Sequence, residues 1–117
     1  FDCPDPVQLA DFYAQLLGGA VEEDPYGGVS VSGRGLGVDI AFQKDECYER
    51  PVFLGVPGDQ QPMLHLDIAV KNRAEATDFA LSIGATMPPE QFCQPEWDAQ
   101  WVTLLDPAGH PFCLFSA

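Results

Sequence analysis

Basic residues are scarce in this chain. Five lysines and arginines stand against 18 aspartates and glutamates, which gives a formal net charge of −13 over 117 residues. A protein that binds the phosphate backbone of a nucleic acid needs a basic face, so nucleic acid is excluded as a partner. The acidic excess is typical of a highly soluble surface. It also favours the attraction of cationic ligands.

Long hydrophobic runs are missing as well. No stretch approaches the roughly 18 apolar residues that identify a membrane-spanning helix, so no membrane partner is expected. The start of the chain also lacks the basic and then apolar pattern of a secretory leader. These two absences favour a cytoplasmic protein.

The sequence contains no closely spaced cysteine pair. Its four cysteines, Cys3, Cys47, Cys93 and Cys113, lie far apart along the chain. That spacing fits neither a zinc knuckle nor a dense disulfide framework. Buried and reduced thiols are therefore the expectation.

What the chain does contain is an internal repeat with a period of about 67 residues. Asp5 and Asn72 each stand just before an apolar-periodic run, and each has Gln or Glu three residues later. This pattern predicts an N-cap and its capping-box partner at the start of two helices. The same shift carries Phe12 onto Phe79, and we expect both to be core aromatics.

Alternating polar and apolar residues predict the strands around these helices. In the first half they cover 20–23, 29–32 and 36–43, after the tail of a strand at 1–3; in the second half they cover 63–70, 85–87, 100–105 and 110–115. Two turns interrupt them, Asp24-Pro25-Tyr26-Gly27-Gly28 and Asp106-Pro107-Ala108-Gly109. The repeat also predicts several strand residues before Phe1.

The predicted fold class is α+β: two tandem βαβββ modules that form curved mixed sheets around a cavity, with the helices outside. Residues 1–117 are expected to form a single domain, with module one at 1–43, a linker at 44–62 and module two at 63–117. The linker carries three prolines and two glycines. Its aromatics Tyr48 and Phe53 either fold back over a pocket or anchor the loop, and we favour anchoring.

Four polar side chains are predicted to face the cavity: His65 and Asp67 on one strand, and Asp39 and Gln43 on another. Polar groups in such a place need each other, water or a ligand as partners. One interpretation is that His65 and an aspartate satisfy each other in a solvated groove. Acid–base catalysis by His65 and Asp67 is the other, although neither a nucleophile nor an oxyanion donor is visible beside them.

The remaining ligand-binding candidates are Trp97, Trp101, Cys113 and Phe115. The tryptophans either stack on a flat or cationic ligand, which we favour, or cap the edge of the sheet. Phe115 is expected to add an apolar wall. Cys113 as a nucleophile would need a nearby cation to lower its pKa, so we favour a packed, inert thiol.

Three segments resemble the vicinal oxygen chelate superfamily, which includes glyoxalase I, bleomycin-resistance proteins and extradiol dioxygenases. They are Asp2-Cys3-Pro4-Asp5-Pro6 with the helix start that follows, His65-Leu66-Asp67-Ile68-Ala69-Val70, and the stretch 105–114 around the second turn. They occur in order along nearly the whole chain. The chain is most similar to the glyoxalase-like domain branch.

The resemblance implies that, in catalytic members, four inward side chains hold one divalent metal. His65 stands at one such position, Cys113 and Ala41 stand where carboxylates are typical, and the fourth position would precede Phe1. This set does not fit a hard, oxygen-rich metal site, and His65 with Cys113 alone is too few for zinc. We therefore expect no cofactor and no bound zinc, nickel, manganese or iron.

The resemblance favours a metal-free protein that binds an aromatic or cationic small molecule and forms a homodimer, like bleomycin-resistance proteins. No residue is assigned a catalytic role. One alternative is a metal-dependent lyase or isomerase of the glyoxalase I type, with a metal ligand from before Phe1. A further alternative is a module that only packs or senses within a larger enzyme or regulator.

Overall fold

The computed structural model describes residues 1–33, 35–91 and 100–116. Contacts divide the chain into two compact units, Phe1–Tyr48 and Glu49–Ala117. The described residues form two helices and seven strands, which lie in one mixed sheet of four strands and one of three. This confirms the predicted mixed α+β class. The assignment of the chain to a single domain stays a prediction.

The first unit consists of β1 (Asp2–Cys3), α1 (Pro6–Leu17), β2 (Ala20–Glu23), β3 (Val29–Ser32) and β4 (Ile40–Lys44). Its sheet has the order β1-β4-β3-β2, with β1 parallel to β4 and the other neighbours antiparallel. Asp5 caps α1 by accepting the N–H of Gln8 at 3.1 Å, and Gly18 ends the helix in the left-handed region. Both helix ends are therefore where the sequence predicts them.

The second unit consists of β5 (Leu66–Val70), α2 (Arg73–Ser82), β6 (Trp101–Leu105) and β7 (Pro111–Ser116). Its sheet has the order β5-β7-β6, with β5 parallel to β7 and β6 antiparallel to it. Thr86 exchanges two backbone hydrogen bonds of 2.9 Å with Leu105 at the outer side of β6. The predicted strand 85–87 is thus reduced to a single bridge, in the place that β2 takes in the first unit.

Two predicted strands are shorter in the structure. The strand 36–43 begins only at Ile40, since Val38 is 71% exposed and the glycines around it favour a loop. The strand 63–70 begins at Leu66, which pairs with Phe112. Pro111 stands opposite the residue before Leu66, and proline has no N–H to donate to the ladder.

The prediction that Phe79 is a core aromatic is wrong. Phe79 is 47% exposed, whereas its counterpart Phe12 is buried. The more buried stripe of α2 contains Ala76 and Ala80, and Phe79 lies about 100° around the helix from Ala80. Neither helix in the described ranges is long and apolar enough to cross a membrane.

The expectation of buried thiols holds only in part. Cys3 is buried, and its Sγ lies 3.6 Å from the carbonyl oxygen of Gln43. Cys47 is exposed because it lies in a turn, where its N–H donates to Asp45 Oδ1 at 2.8 Å. Cys113 is half-buried, and Cys93 lies outside the described residues.

The two predicted turns share one hydrogen-bond pattern. Asp24 Oδ1 accepts the N–H groups of Tyr26 and Gly28 at 2.8 Å, and Asp106 Oδ1 accepts those of Ala108 and His110 at 2.9 and 3.0 Å. The third residue after each aspartate is a glycine at positive φ. The turns differ in burial, because Asp24 is exposed and Asp106 is 0% exposed.

This pair of turns makes a matched test of burial. We expect Asp106→Ala to lower the free energy of unfolding by about 3 kcal/mol, because it strips buried donors of their acceptor, including His110 Nδ1, which lies 2.8 Å from Asp106 Oδ2. Asp24→Ala, where water replaces the lost acceptor, should cost about 1 kcal/mol. Urea unfolding of the parent and the two variants measures both losses in the free energy of unfolding. Equal losses would contradict the role given to burial.

Candidate functional site

One face of the three-stranded sheet carries a pocket of about 510 Å³. Within the described ranges, every residue that lines it belongs to the second unit. These residues are Phe53, His65, Asp67, Gln100, Trp101, Thr103, Pro111, Cys113, Phe115 and Ser116. They combine aromatic side chains with a few polar ones, which is the usual composition of a site for a small organic molecule.

Strand register places the polar side chains in one row across the sheet. Cys113 in the central strand β7 stands opposite Asp67 on β5 and opposite Thr103 on β6. Because successive side chains point to opposite faces of a strand, all three belong to the same face. Trp101 and Phe115 stand opposite each other in a neighbouring row. The pocket therefore has a polar row beside an aromatic one.

The intervening residues form the core on the other face. Phe112, Leu114 and Leu104 are almost fully buried, with exposures of 0, 1 and 0%. Helix α2 packs on β6 and β7. The same alternation that builds this core thus presents Cys113 and Thr103 to the pocket.

His65 and Asp67 lie next to each other at the open side of the pocket. The Nε2 atom of His65 is 3.5 Å from Oδ1 of Asp67, and the two side chains are 57 and 63% exposed. A polar contact this exposed contributes less than about 1 kcal/mol to stability. Both side chains therefore keep rotational freedom and access to a ligand.

Cys113 lies deeper than His65 and Asp67. Burial raises the pKa of its thiol, the nearby Asp67 raises the pKa further, and the hydroxyl of Thr103, 3.4 Å from Sγ, acts in the opposite direction. The thiol therefore keeps its proton at neutral pH. This favours a packed thiol over a nucleophile.

Gln91 holds the strand that presents Thr103. Its side-chain amide accepts the backbone N–H of Thr103 at 2.8 Å and donates to the carbonyl oxygen of the same residue at 2.9 Å. Sequence reasoning missed this contact, since nothing local to Gln91 indicates a partner twelve residues away. Thr103 as a pocket residue, by contrast, follows from strand alternation starting at Trp101.

The structure brings together five of the eight predicted ligand-binding residues. His65, Asp67, Trp101, Cys113 and Phe115 all line the one pocket. His65 and Cys113 face the same pocket, as the resemblance to the superfamily implies for these two positions.

The other three predicted residues are Asp39, Gln43 and Trp97. Asp39, just before β4, and Gln43, within β4, are exposed residues of the first unit. Trp97 lies outside the described residues. Phe53, which we expected to anchor the linker, lines the pocket instead.

Comparison with known proteins identifies the fold. Residues 1–115 match the sequence model of the glyoxalase-like domain. No curated protein matches the chain. Among solved structures, a glyoxalase/bleomycin resistance protein/dioxygenase family enzyme from Burkholderia phytofirmans PsJN superposes with a TM-score of 0.68 at 20% identity. That alignment covers 99% of this chain and 93% of the other.

Two further structures have the same fold at similarly low sequence identity. The bleomycin resistance determinant encoded on the transposon Tn5 has a TM-score of 0.64 at 16% identity, over 99% of this chain and 92% of its own. A protein from Agrobacterium tumefaciens has a TM-score of 0.67 at 18% identity, over 99% and 91%. At these identities the likeness concerns the fold.

The donor atoms in the pocket do not fit a hard metal ion. Ions that prefer oxygen take six or more oxygen ligands. The cluster instead offers one imidazole nitrogen, one carboxylate oxygen and one sulfur, from His65, Asp67 and Cys113, all within 4.8 Å of one another. Sequence reasoning counted only His65 and Cys113 as donors. Asp67, next but one to His65 on the same face, adds a third.

We expect the thiol of Cys113 to react slowly with iodoacetamide in the presence of EDTA, with a rate that rises only above the ordinary thiol pKa. Asp67→Asn should shift this pH profile downward, because the carboxylate raises the pKa. Thr103→Val should shift it upward, because the hydroxyl lowers the pKa. Mass spectrometry of the peptide that contains Cys113 distinguishes its alkylation from that of the other cysteines. An upward shift in Asp67→Asn would contradict the assigned electrostatics.

Proposed function

Because this chain belongs to the glyoxalase-like domain family, we propose that it is a small-molecule-binding protein that takes a planar aromatic or cationic compound into the pocket of its second unit. The observation that carries this proposal is the composition of the pocket wall. Phe53, Trp101 and Phe115 line it and are half-buried, so each keeps apolar surface that a ligand can cover. Burial of such surface is the main source of affinity in pockets of this kind.

Aromatic side chains also set the shape of the ligand. Trp101 and Phe115 stand side by side across β6 and β7. Flat rings pack against such side chains by offset stacking or edge contact, which contributes about 0.5–1.5 kcal/mol beyond the area that is buried. A planar ligand gains from both neighbours at once. This supports a planar compound over a flexible aliphatic one.

Charge supports a cationic centre in the ligand. Asp67 presents a carboxylate at the open side of the pocket, and the whole chain carries a net charge of −13. A cation over the face of a tryptophan gains about 0.5–2 kcal/mol, depending on how far it is desolvated. Anionic thiol conjugates, by contrast, would meet charge of the same sign. Electrostatic attraction also raises the rate at which cationic ligands arrive.

The proposed protein binds its ligand without catalysing a reaction, which distinguishes it from a lyase or isomerase of the glyoxalase I type. That reaction class uses a divalent metal held by carboxylate and imidazole ligands. Cys113 and Ala41 replace two of those ligands, and strand pairing supports the equivalence of the two positions. Asp2 and Ala69 are equivalent in the repeat, and they pair with Gln43 and Phe115, respectively. Ala41 lies two residues before Gln43, and Cys113 lies two residues before Phe115.

The proposal includes a cytoplasmic homodimer. Five apolar side chains of the second unit are 43–89% exposed along the segment that precedes β5: Val52, Leu54, Val56, Met63 and Leu64. A second copy of the chain would cover apolar surface of this kind. Size-exclusion chromatography with light scattering gives the molar mass that tests this. A monomer across the accessible concentration range would remove the dimer from the proposal.

The cationic acridine dye proflavine is a suitable probe. We expect it to raise the melting temperature of the parent protein more than S-benzylglutathione does at equal concentration, since the ligand that binds more tightly stabilises the folded state more. Trp101→Ala should weaken proflavine binding about tenfold, which corresponds to about 1.4 kcal/mol. Trp101→Phe should retain most of the affinity. Isothermal titration calorimetry of the parent and the two variants gives the proflavine dissociation constant of each.

Phe79→Ala is the matched control, because Phe79 is an exposed aromatic residue on α2, outside the pocket lining. It should leave proflavine affinity unchanged. Asp67→Asn should weaken proflavine more than it weakens the neutral analogue acridone. If S-benzylglutathione stabilises the parent protein while proflavine does not, the proposed ligand class is wrong.

A further inference from the structure

Residues 50–61 of the second unit form a compact loop, which we name the pocket loop. The N–H of Val52 donates to the carbonyl oxygen of Gln60 at 2.8 Å, which brings the two ends of the loop together. Within it, the carboxylate of Asp59 accepts the N–H of Val56 at 2.9 Å, and the N–H of Asp59 donates to the carbonyl oxygen of Val56 at 3.0 Å. These bonds set the shape of the loop. They do not fix its place on the rest of the unit.

The pocket loop turns Phe53 toward the pocket. Phe53 is half-buried and lines the pocket, whereas its neighbours Val52 and Leu54 are 43 and 47% exposed. A turn produces this arrangement: the N–H of Gly55 donates to the carbonyl oxygen of Val52 at 3.2 Å, and Leu54 has a φ of 56°. Positive φ is unfavourable for leucine. The conformation that presents Phe53 therefore needs support from outside the loop.

Arg50 fastens the pocket loop to the turn at 106–109. Its Nη1 atom donates to the carbonyl oxygen of Pro107 at 2.9 Å. Its side chain also lies directly across Gly109, where a Cβ atom would be 2.7 Å from Arg50 Cγ and 2.9 Å from Arg50 Nε. The turn is held in the core by Asp106, which is 0% exposed. Arg50 therefore connects the loop to a rigid part of the second unit.

The matching turn of the first unit shows that glycine alone does not bring in an arginine. Gly27 stands where the second unit has Gly109, and both have positive φ. Apart from its chain neighbours, no described residue has an atom within 4 Å of the place that a Cβ atom of Gly27 would occupy. Positive φ thus accounts for glycine in both turns, and in the second unit Arg50 fills the space above it.

We infer that Arg50 is a positioning residue for the pocket: by fastening the pocket loop to the turn at 106–109, it holds Phe53 in the pocket wall and so slows release of the ligand. Arg50 is not among the described residues that line the pocket, so it acts through Phe53. The statement about ligand release rests on the proposed function. The statement about the loop stands without it.

Charge and position predict opposite effects of removing Arg50. Loss of one positive charge favours a cationic ligand such as proflavine, so electrostatics alone would strengthen its binding. Loss of the link to Pro107 frees the loop that carries Phe53, so a loss of position predicts weaker binding and faster release. Faster release in Arg50→Ala therefore cannot be an effect of charge.

The first experiment measures the mobility of the pocket loop without ligand. Nuclear magnetic resonance relaxation of ¹⁵N-labelled protein gives backbone order parameters for the parent, Arg50→Ala and Lys71→Ala. We expect those of Phe53 and Leu54 to fall from about 0.85 to below about 0.6 in Arg50→Ala. Lys71→Ala is the matched control, because it removes an exposed positive charge just before α2, and it should keep the parent values. Unchanged order parameters in Arg50→Ala would overturn the inference.

The second experiment measures proflavine release by stopped-flow fluorescence. We expect Phe53→Ala to raise the dissociation rate constant about tenfold and Arg50→Ala about fivefold, with little change in the association rate constant, since substitutions at a binding site act mostly on dissociation. Lys71→Ala should not raise the dissociation rate constant. Slower release from Arg50→Ala than from the parent would show that charge outweighs position and would contradict the inference.

The double variant tests whether Arg50 acts through Phe53. Once Phe53 is replaced by alanine, Arg50→Ala should raise the dissociation rate constant by less than about twofold, whereas independent effects would multiply to about fiftyfold over the parent. Independent effects would refute the positioning role. If proflavine does not bind the parent protein, the proposed ligand class is wrong, and the order parameters still decide whether Arg50 holds the loop.

Discussion

The register of β7 between β5 and β6 is the constraint on which the rest of the second unit depends. With Cys113 opposite both Asp67 and Thr103, the residues on either side of Cys113, Phe112 and Leu114, are placed in the core. A slip of one residue would put Cys113 in the core and the two apolar side chains in the pocket. Burial of Phe112 and Leu114 thus holds the register, and the register assembles the pocket.

The same frame in the first unit shows why the pocket chemistry belongs to the second. Strand pairing makes Ala41 the counterpart of Cys113. Ser30 pairs with Ala41 as Thr103 pairs with Cys113, so Ser30 is the counterpart of Thr103. Continuing that register by two residues places Gly28 where the second unit has Trp101. The first unit therefore lacks both the sulfur and the aromatic wall. The two units thus share a backbone frame, while these side chains of the site are found in the second unit.

Local signals in the sequence were enough for much of the fold. Asp5 and Asn72 each make the capping contact that their spacing predicts, at 3.1 and 3.2 Å. Strand alternation likewise placed His65 and Asp67 on one face. Such features depend on neighbours within a few residues, and a repeat of the same pattern in both halves makes them easier to recognise.

Features that depend on long-range packing could not be read in the same way. Phe79 has the spacing of a core residue, but small residues form the more buried stripe of α2. Phe53 reaches the pocket from a segment with no periodicity, and Gln91 contacts Thr103 across twelve residues. Asp67 was recognised as a partner of His65, yet its proximity to Cys113 follows only from pairing between strands far apart in the chain.

Gln91 has a consequence for the behaviour of the protein at high concentration. Among the strands that the structure describes, β6 has β7 as its one neighbour, and an outer strand exposes backbone groups that another chain can extend into an aggregate. A primary amide carries a donor and an acceptor like those of a peptide. By engaging both backbone groups of Thr103, Gln91 occupies in cis the positions that an intruding strand would need. Together with the bridge between Thr86 and Leu105, this side chain protects the edge against intermolecular β-sheet growth.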